Sequence, residues 1–103
     1  MLKHCVFIRF KEEVNTRQRD DLYQAIHNLQ NHLSGWLGFV AGANVTVEAG
    51  MDKGFNGGFI IDLADAESRD TYLADEQHKQ VGKKLVAAAE GGIDGILVFD
   101  MEV

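Results

Sequence analysis

The stretch LKHCVFIRFK, residues 2 to 11, alternates as a strand does, with an apolar face and a second face on which Cys5 and Phe7 stand among charged residues. Leu2, His4, Val6, Ile8 and Phe10 point one way, and Lys3, Cys5, Phe7, Arg9 and Lys11 point the other. A sheet built around such a strand needs cover on both sides. The rest of the chain must show where that cover comes from.

Asn15, followed three residues later by Gln18, reads as a capping-box start. Leu22, Ala25, Ile26, Leu29 and Leu33 then recur at helical spacing until Ser34-Gly35 stops the pattern. GWLGFVAGANVTV predicts a second strand with a bulge or bend near Gly42, and EAGMDKGFNGG a loop. In GFIIDLA a short, nearly continuous apolar strand is followed by Asp65, a candidate N-cap for a helix through Ala66 and Leu73. From Gln77 a further stripe of Val81, Leu85, Ala88 and Ala89 runs to Gly91-Gly92, and GILVFDMEV forms a last strand. The order is βαββαβ, with the second helical unit bent or split near Asp75-Glu76. That order predicts an α+β, ferredoxin-like protomer: an antiparallel four-stranded sheet with its helices on one face. At 103 residues the chain fits a single domain over residues 1–103.

Two helical units cover one side of a sheet. The other side would carry Cys5, Phe7, Ile60, and either Ile96 and Val98 or Leu97 and Phe99, because the last strand is apolar on both faces. Each large apolar side chain left in water forfeits about 1.5 to 3 kcal/mol that burial would supply, and such a patch marks an interface. The expected solution is a second copy packed sheet against sheet, a homodimer in the form of a dimeric α/β barrel. Arg9 and Asp62 are left open among pairing, rim exposure and a wet interior.

Hydrophobic residues at 46%, charged residues at 25% and a net charge of -6 describe a folding chain without a basic surface for phosphates. Nucleic acid is therefore not an expected partner. Cys5 is the only thiol, so no intrachain disulfide is expected; the opening MLKHCVFIRFKEEV turns charged before a signal peptide's apolar region is complete. No apolar run approaches the roughly 20 residues of a membrane span, and a reduced, cytoplasmic setting with no membrane partner is expected.

His4 is the polar member of the Leu2/Val6/Ile8/Phe10 face, and His78 stands three residues before Val81, at the head of the last helical stripe. Both point toward one layer. A histidine near a helix N-terminus is disfavoured as imidazolium, so its neutral ring is able to accept a proton. The plainer alternative is that both histidines only pack. Tyr72 and His78 would be rotated by roughly 240° on an unbroken helix, so they converge only across a break. A metal site from His4, His78 and Asp100 is conceivable, but no HxH, HExxH or CxxC spacing supports one, and no metal or cofactor is expected. Cys5 is expected in an interface or core, His27 and His32 at the surface, and Trp36 across the entry to the second strand. The glycines of KGFNGG match no phosphate loop; a flexible loop over a cavity is expected there.

KHCVFIRFK, AGANVT, KGFNGGFIIDL, YLADEQH and ILVFDME, in this order and spacing, resemble the stress-responsive dimeric α/β-barrel (Dabb) family over nearly the whole chain. The resemblance implies a ferredoxin-like protomer that pairs into a barrel. In the family's plant polyketide cyclase, olivetolic acid cyclase, the catalytic histidine and tyrosine correspond to His78 and Tyr72, and a pocket histidine corresponds to His4. His78 would then take a proton next to a carbonyl while Tyr72 holds the imidazole or the substrate. This sequence departs from the family pattern at Asp75 and Glu76, where His-Pro is common, at Gly57, where a histidine is common, and at Ile26, where a pocket tyrosine falls. With the kinking proline absent, the Tyr72–His78 pair depends on a bend at Asp75-Glu76.

The reading that results is a homodimer holding a small, largely apolar molecule between sheet and helices, near His4, Tyr72 and His78, with acid-base chemistry at His78. Two alternatives stand beside it: a cofactor-independent cyclase, isomerase or lyase, with antibiotic-biosynthesis-type monooxygenases as more distant relatives, and a stress-protective structural dimer without a ligand.

Overall fold

The computed structural model describes residues 1–103. Strands β1 (Leu2–Ile8), β2 (Trp36–Ala43), β3 (Gly57–Leu63) and β4 (Ile96–Glu102) alternate with helices α1 (Thr16–Asn28), α2 (Ala66–Ala74) and α3 (Glu76–Ala88). The strands form one antiparallel sheet in the order β2-β3-β1-β4. This is the ferredoxin-like βαββαβ arrangement, with α2 and α3 filling the second helical position.

Each helix starts on a side-chain acceptor that satisfies amides the helix leaves unpaired. Asn15 and Gln18 exchange reciprocal bonds of 2.9 Å at the head of α1. Asp65 Oδ1 accepts from the Ser68 amide and hydroxyl, each at 2.8 Å, ahead of α2. Asp75 Oδ2 accepts from the His78 amide at 2.9 Å ahead of α3. Past α3, Gly91 and Gly92 take φ values of 72° and 65°, a left-handed turn open to residues without a Cβ.

The core lies between the helices and one sheet face. Val6, Ile8 and Phe10 from the β1 segment, Phe59, Ile61 and Leu63 from β3, Tyr23, Ile26 and Leu29 from the α1 region, and Tyr72, Leu85 and Ala89 from the last helices are all buried there. The α1 stripe is rotated from the expected one: Tyr23, Ile26 and Leu29 are buried while Leu22, Ala25 and Leu33 are half-buried. Tyr23 wins the inward position because its ring packs edge-on against both Phe10 and Phe59.

Strand β2 corrects the sequence reading in two respects. The register shift falls between Trp36 and Gly38, where Leu37 is the extra residue, and pairing is regular through Gly42↔Gly58. The strand also ends at Ala43; Val45 and Val47 lie beyond it, 86% and 97% exposed. The bulge has a geometric effect. Trp36 and Phe39, three positions apart, would face opposite ways in a regular strand, and the extra residue brings both to the helix side, opposite Leu63 and Ile61.

The far face of the sheet carries Phe7, Ile60 and, from β4, Leu97 and Phe99, since Phe7 pairs with Leu97 and Cys5 with Phe99. No helix covers it. Val40, Leu97, Phe99 and Met101 on that face are 63%, 45%, 52% and 46% exposed. At its edge Lys3 pairs with Asp62 at 2.8 Å, and Arg9 stacks over Phe55 at 4.6 Å. Asp62 is thus paired with Lys3.

Candidate functional site

His4, Tyr72 and His78 meet in the layer between sheet and helices. The convergence depends on Asp75, whose extended backbone (φ −66°, ψ 131°) ends α2 and opens α3. Turning the chain there brings the rings of Tyr72 and His78 to 4.2 Å between centroids. The His4 ring meets Tyr72 edge-on at 5.4 Å. Tyr72 is therefore the centre of the group, with a histidine on either side.

Burial sets the electrostatics. His4 is 3% exposed, and its Nδ1 lies 2.6 Å from Asp100 Oδ1 on the neighbouring strand, which fixes the ring's orientation. Arg69 reaches the other Asp100 oxygen at 3.5 Å. The phenol of Tyr72, 1% exposed, is pushed well above its ordinary range by burial, and the Asp75 carboxylate adds to the shift. It stays protonated and available as a donor. Burial also pushes His78 below the ordinary histidine range; His4 and Lys79 act in the same sense, and the Leu73 carbonyl and Asp75 oppose them. The neutral ring expected at a helix start is produced here chiefly by desolvation.

Two polar atoms in this region are buried without a well-formed hydrogen bond: His78 Nδ1, for which the Leu73 carbonyl acts on the ring but not at hydrogen-bonding geometry, and Trp36 Nε1. Trp36 packs edge-on against Tyr72 at 6.1 Å and is stacked with Phe39 at 6.1 Å. His27, expected at the surface, is stacked on Phe39 at 4.7 Å. Trp36, Phe39 and His27 thus continue the aromatic wall from Tyr72 along the helix side of β2. Sequence reasoning missed Phe39 and His27 as members of this wall; the signal was the spacing of Trp36 and Phe39, legible only with the bulge placed at Leu37.

Two concavities of the molecule lie elsewhere. A trough of about 620 Å³ on the far face is bounded by Phe7, Gly58 and Leu97 of the sheet and by Val45, Met51 and Phe55 of the β2–β3 loop. The KGFNGG segment accordingly borders a cavity, but on the side of the sheet away from His78. A groove of about 480 Å³ runs between α1 and α3 along Leu22, Ala25 and Ala88. Neither touches His4, Tyr72 or His78. No three His, Cys, Asp or Glu side chains converge as metal ligands would, and no helix is long and apolar enough to cross a membrane.

Residues 2–103 match the sequence model of the Stress responsive A/B Barrel Domain. The chain belongs to this Dabb family. A Dabb identity agrees with the element order and with the ferredoxin-like sheet. Among solved structures, a protein of Jannaschia sp. CCS1 described as a dimeric ferredoxin-like protein is 29% identical, with a TM-score of 0.89 over 99% of this chain and 98% of that one. A protein from Arabidopsis thaliana is 22% identical, with a TM-score of 0.87 over 100% and 95% of the two chains. The hydroxynitrile lyase of Passiflora edulis is 18% identical, with a TM-score of 0.82 over 99% and 92%. The latter two similarities bear on the fold of this Dabb domain alone. No curated protein matches it.

Proposed function

We propose that this Dabb chain forms a homodimer that binds a small, largely apolar molecule beside Tyr72, with His78 as proton acceptor and the Tyr72 hydroxyl as donor. The observation that carries the reading is the pair of buried ring nitrogens without a well-formed hydrogen bond, His78 Nδ1 and Trp36 Nε1, each on a residue packed against Tyr72. Buried polar atoms without partners are uncommon in folded proteins, because each forfeits the hydrogen bond it had in water. A ligand acceptor facing the indole N–H and a proton facing the imidazole would supply what the fold withholds. His78 and Trp36 are half-buried, while the Tyr72 ring between them is buried.

The dimer follows from the uncovered sheet face and from the dimeric description of the Jannaschia protein. The acid-base element follows from the desolvation of both groups, which keeps the imidazole neutral and the phenol protonated at neutral pH. In an enzymatic version, a cyclase, isomerase or lyase without cofactor, His78 takes a proton from carbon next to a carbonyl, and the phenol donates a hydrogen bond to the oxygen on which the charge gathers.

Trp36 is the only tryptophan, so its fluorescence reports on the site. Titration with acetophenone, benzaldehyde and aliphatic ketones of similar size should quench it saturably in the native chain, and about tenfold more weakly in His78→Ala. Equal quenching in both proteins, or none by any probe, would remove the ligand reading. A second reading, a structural dimer in which the histidines only pack, is favoured by the dense packing around His4 and Tyr72. On that reading His78→Ala changes the melting temperature and no titration.

A further inference from the structure

The residue that turns the chain between α2 and α3 is itself held from a distance. The Asp75 amide donates to the Tyr72 carbonyl at 3.2 Å, closing α2, and its carbonyl accepts from the Lys79 amide at 3.1 Å, opening α3. One carboxylate oxygen caps the His78 amide at 2.9 Å, and the other lies 2.9 Å from His32 Nε2. His32 comes from the turn after α1, 43 positions away in sequence. Because Nε2 faces a carboxylate, it carries the proton and donates.

We propose that the His32–Asp75 pair is the positioning element of the site, fixing the one extended residue between the two helices and so aiming His78 at Tyr72. The inference rests on the reading of Tyr72 and His78 as a functional pair, and it supplies what the sequence lacks. Residue 76 is glutamate, with no ring to enforce a break. Helix propensity alone would let LADEQHKQ run on as one helix, since every residue in it is tolerated there. In that arrangement Tyr72 and His78 would diverge. The tie to His32 rewards the extended conformation, because only there can one carboxylate both cap α3 and reach the α1 turn.

The surroundings do not offer a substitute. Glu76 pairs with Lys79 at 3.4 Å on the solvent side, and the charged group facing His78 from the sheet is the His4–Asp100 pair. Neither touches the break. The hydrogen bonds also leave their mark on Asp75: burial acts to raise its carboxyl, but the His78 and Gln77 amides and the His32 ring together bring it below the ordinary carboxylate range.

The test needs no ligand. Histidine ring resonances of the full chain, followed by NMR across pH, give the His78 titration midpoint and its ring-to-ring cross-peak with Tyr72. In His32→Ala the midpoint should rise toward the ordinary value of about 6.5 as His78 rehydrates, and the cross-peak should weaken. His32→Gln, whose amide donates in place of Nε2, should restore both. Asp75→Ser retains one oxygen for the cap and cannot also reach His32; it should match His32→Ala, and the double variant should add nothing. An unmoved His78 in His32→Ala, or a shift that His32→Gln does not reverse, overturns the proposal. Loss of ligand binding in the native chain would sink the functional reading and leave these outcomes as they are.

Discussion

Gly57 sits where a side chain would strike Tyr23: a Cβ built on it falls 2.6 Å from the tyrosine hydroxyl oxygen and 2.9 Å from Phe10 Cε2. The family resemblance puts a histidine at this position. Here the Tyr23 and Phe10 side chains fill the space that any side chain at residue 57 would need.

Gly57→Ala is therefore expected to destabilise by about 1–3 kcal/mol, as overpacking of a filled core does. Urea denaturation at constant slope would measure it. Combining it with Tyr23→Phe, which removes the nearest atom, should recover part of the loss. An alanine variant as stable as the native chain would show that the two side chains do not compete.

The far face of the sheet predicts an assembly of twice the 11.4 kDa chain mass in sedimentation experiments. Phe99, half exposed in the single chain, lies on that face, and Phe99→Arg should dissociate the pair by placing a charge where apolar contact is needed. A native chain sedimenting at 11.4 kDa would contradict the homodimer.

The state of His78 predicts a pH dependence. A histidine whose folded value is depressed binds fewer protons in the folded chain than in the unfolded one. Stability from this residue is thus highest above the unfolded value of about 6.5, falls as pH drops through it, and levels off below the folded value. His78→Gln should flatten this part of the curve, measured by denaturation at roughly pH 7.5 and roughly pH 5.5. The depressed carboxyls of Asp65 and Asp75 act in a different window: their contribution is present above about pH 4 and is lost below it.

Asp100→Ala should cost about 1–3 kcal/mol, because it leaves His4 Nδ1 buried without its partner. Asp100→Asn, which keeps an oxygen near the ring, should cost less. Thermal melts of the two variants side by side test the order, and equal losses would assign the effect to Arg69 instead.

Much of this was legible in the sequence. Period-2 and helical spacing locate β1, β3, β4 and the helices, and Cys5, Phe7, Ile60 and the two-sided apolarity of β4 mark the uncovered face. His4 and His78 share a layer because each sits in step with a buried stripe. What escaped has one physical origin, that local periodicity does not report distant contacts. The bulge at Leu37 is invisible to a strict alternation, so the second strand was expected to bend at Gly42 and run past Ala43. Leu22 is as apolar as the stripe demands, and only the rings of Phe10 and Phe59 give Tyr23 the inward place. The break before Glu76 has a local cap in Asp75, but the hand that holds it, His32, belongs to another helix's end.

Because Leu37 is looped out of the pairing just after Trp36, the side of the sheet that receives the indole is decided by register and not by residue type. Drawing Leu37 into the ladder opposite Leu63 would instead carry the ring across to the uncovered side. A wall of the interior would become part of the open face, with no change to any side chain.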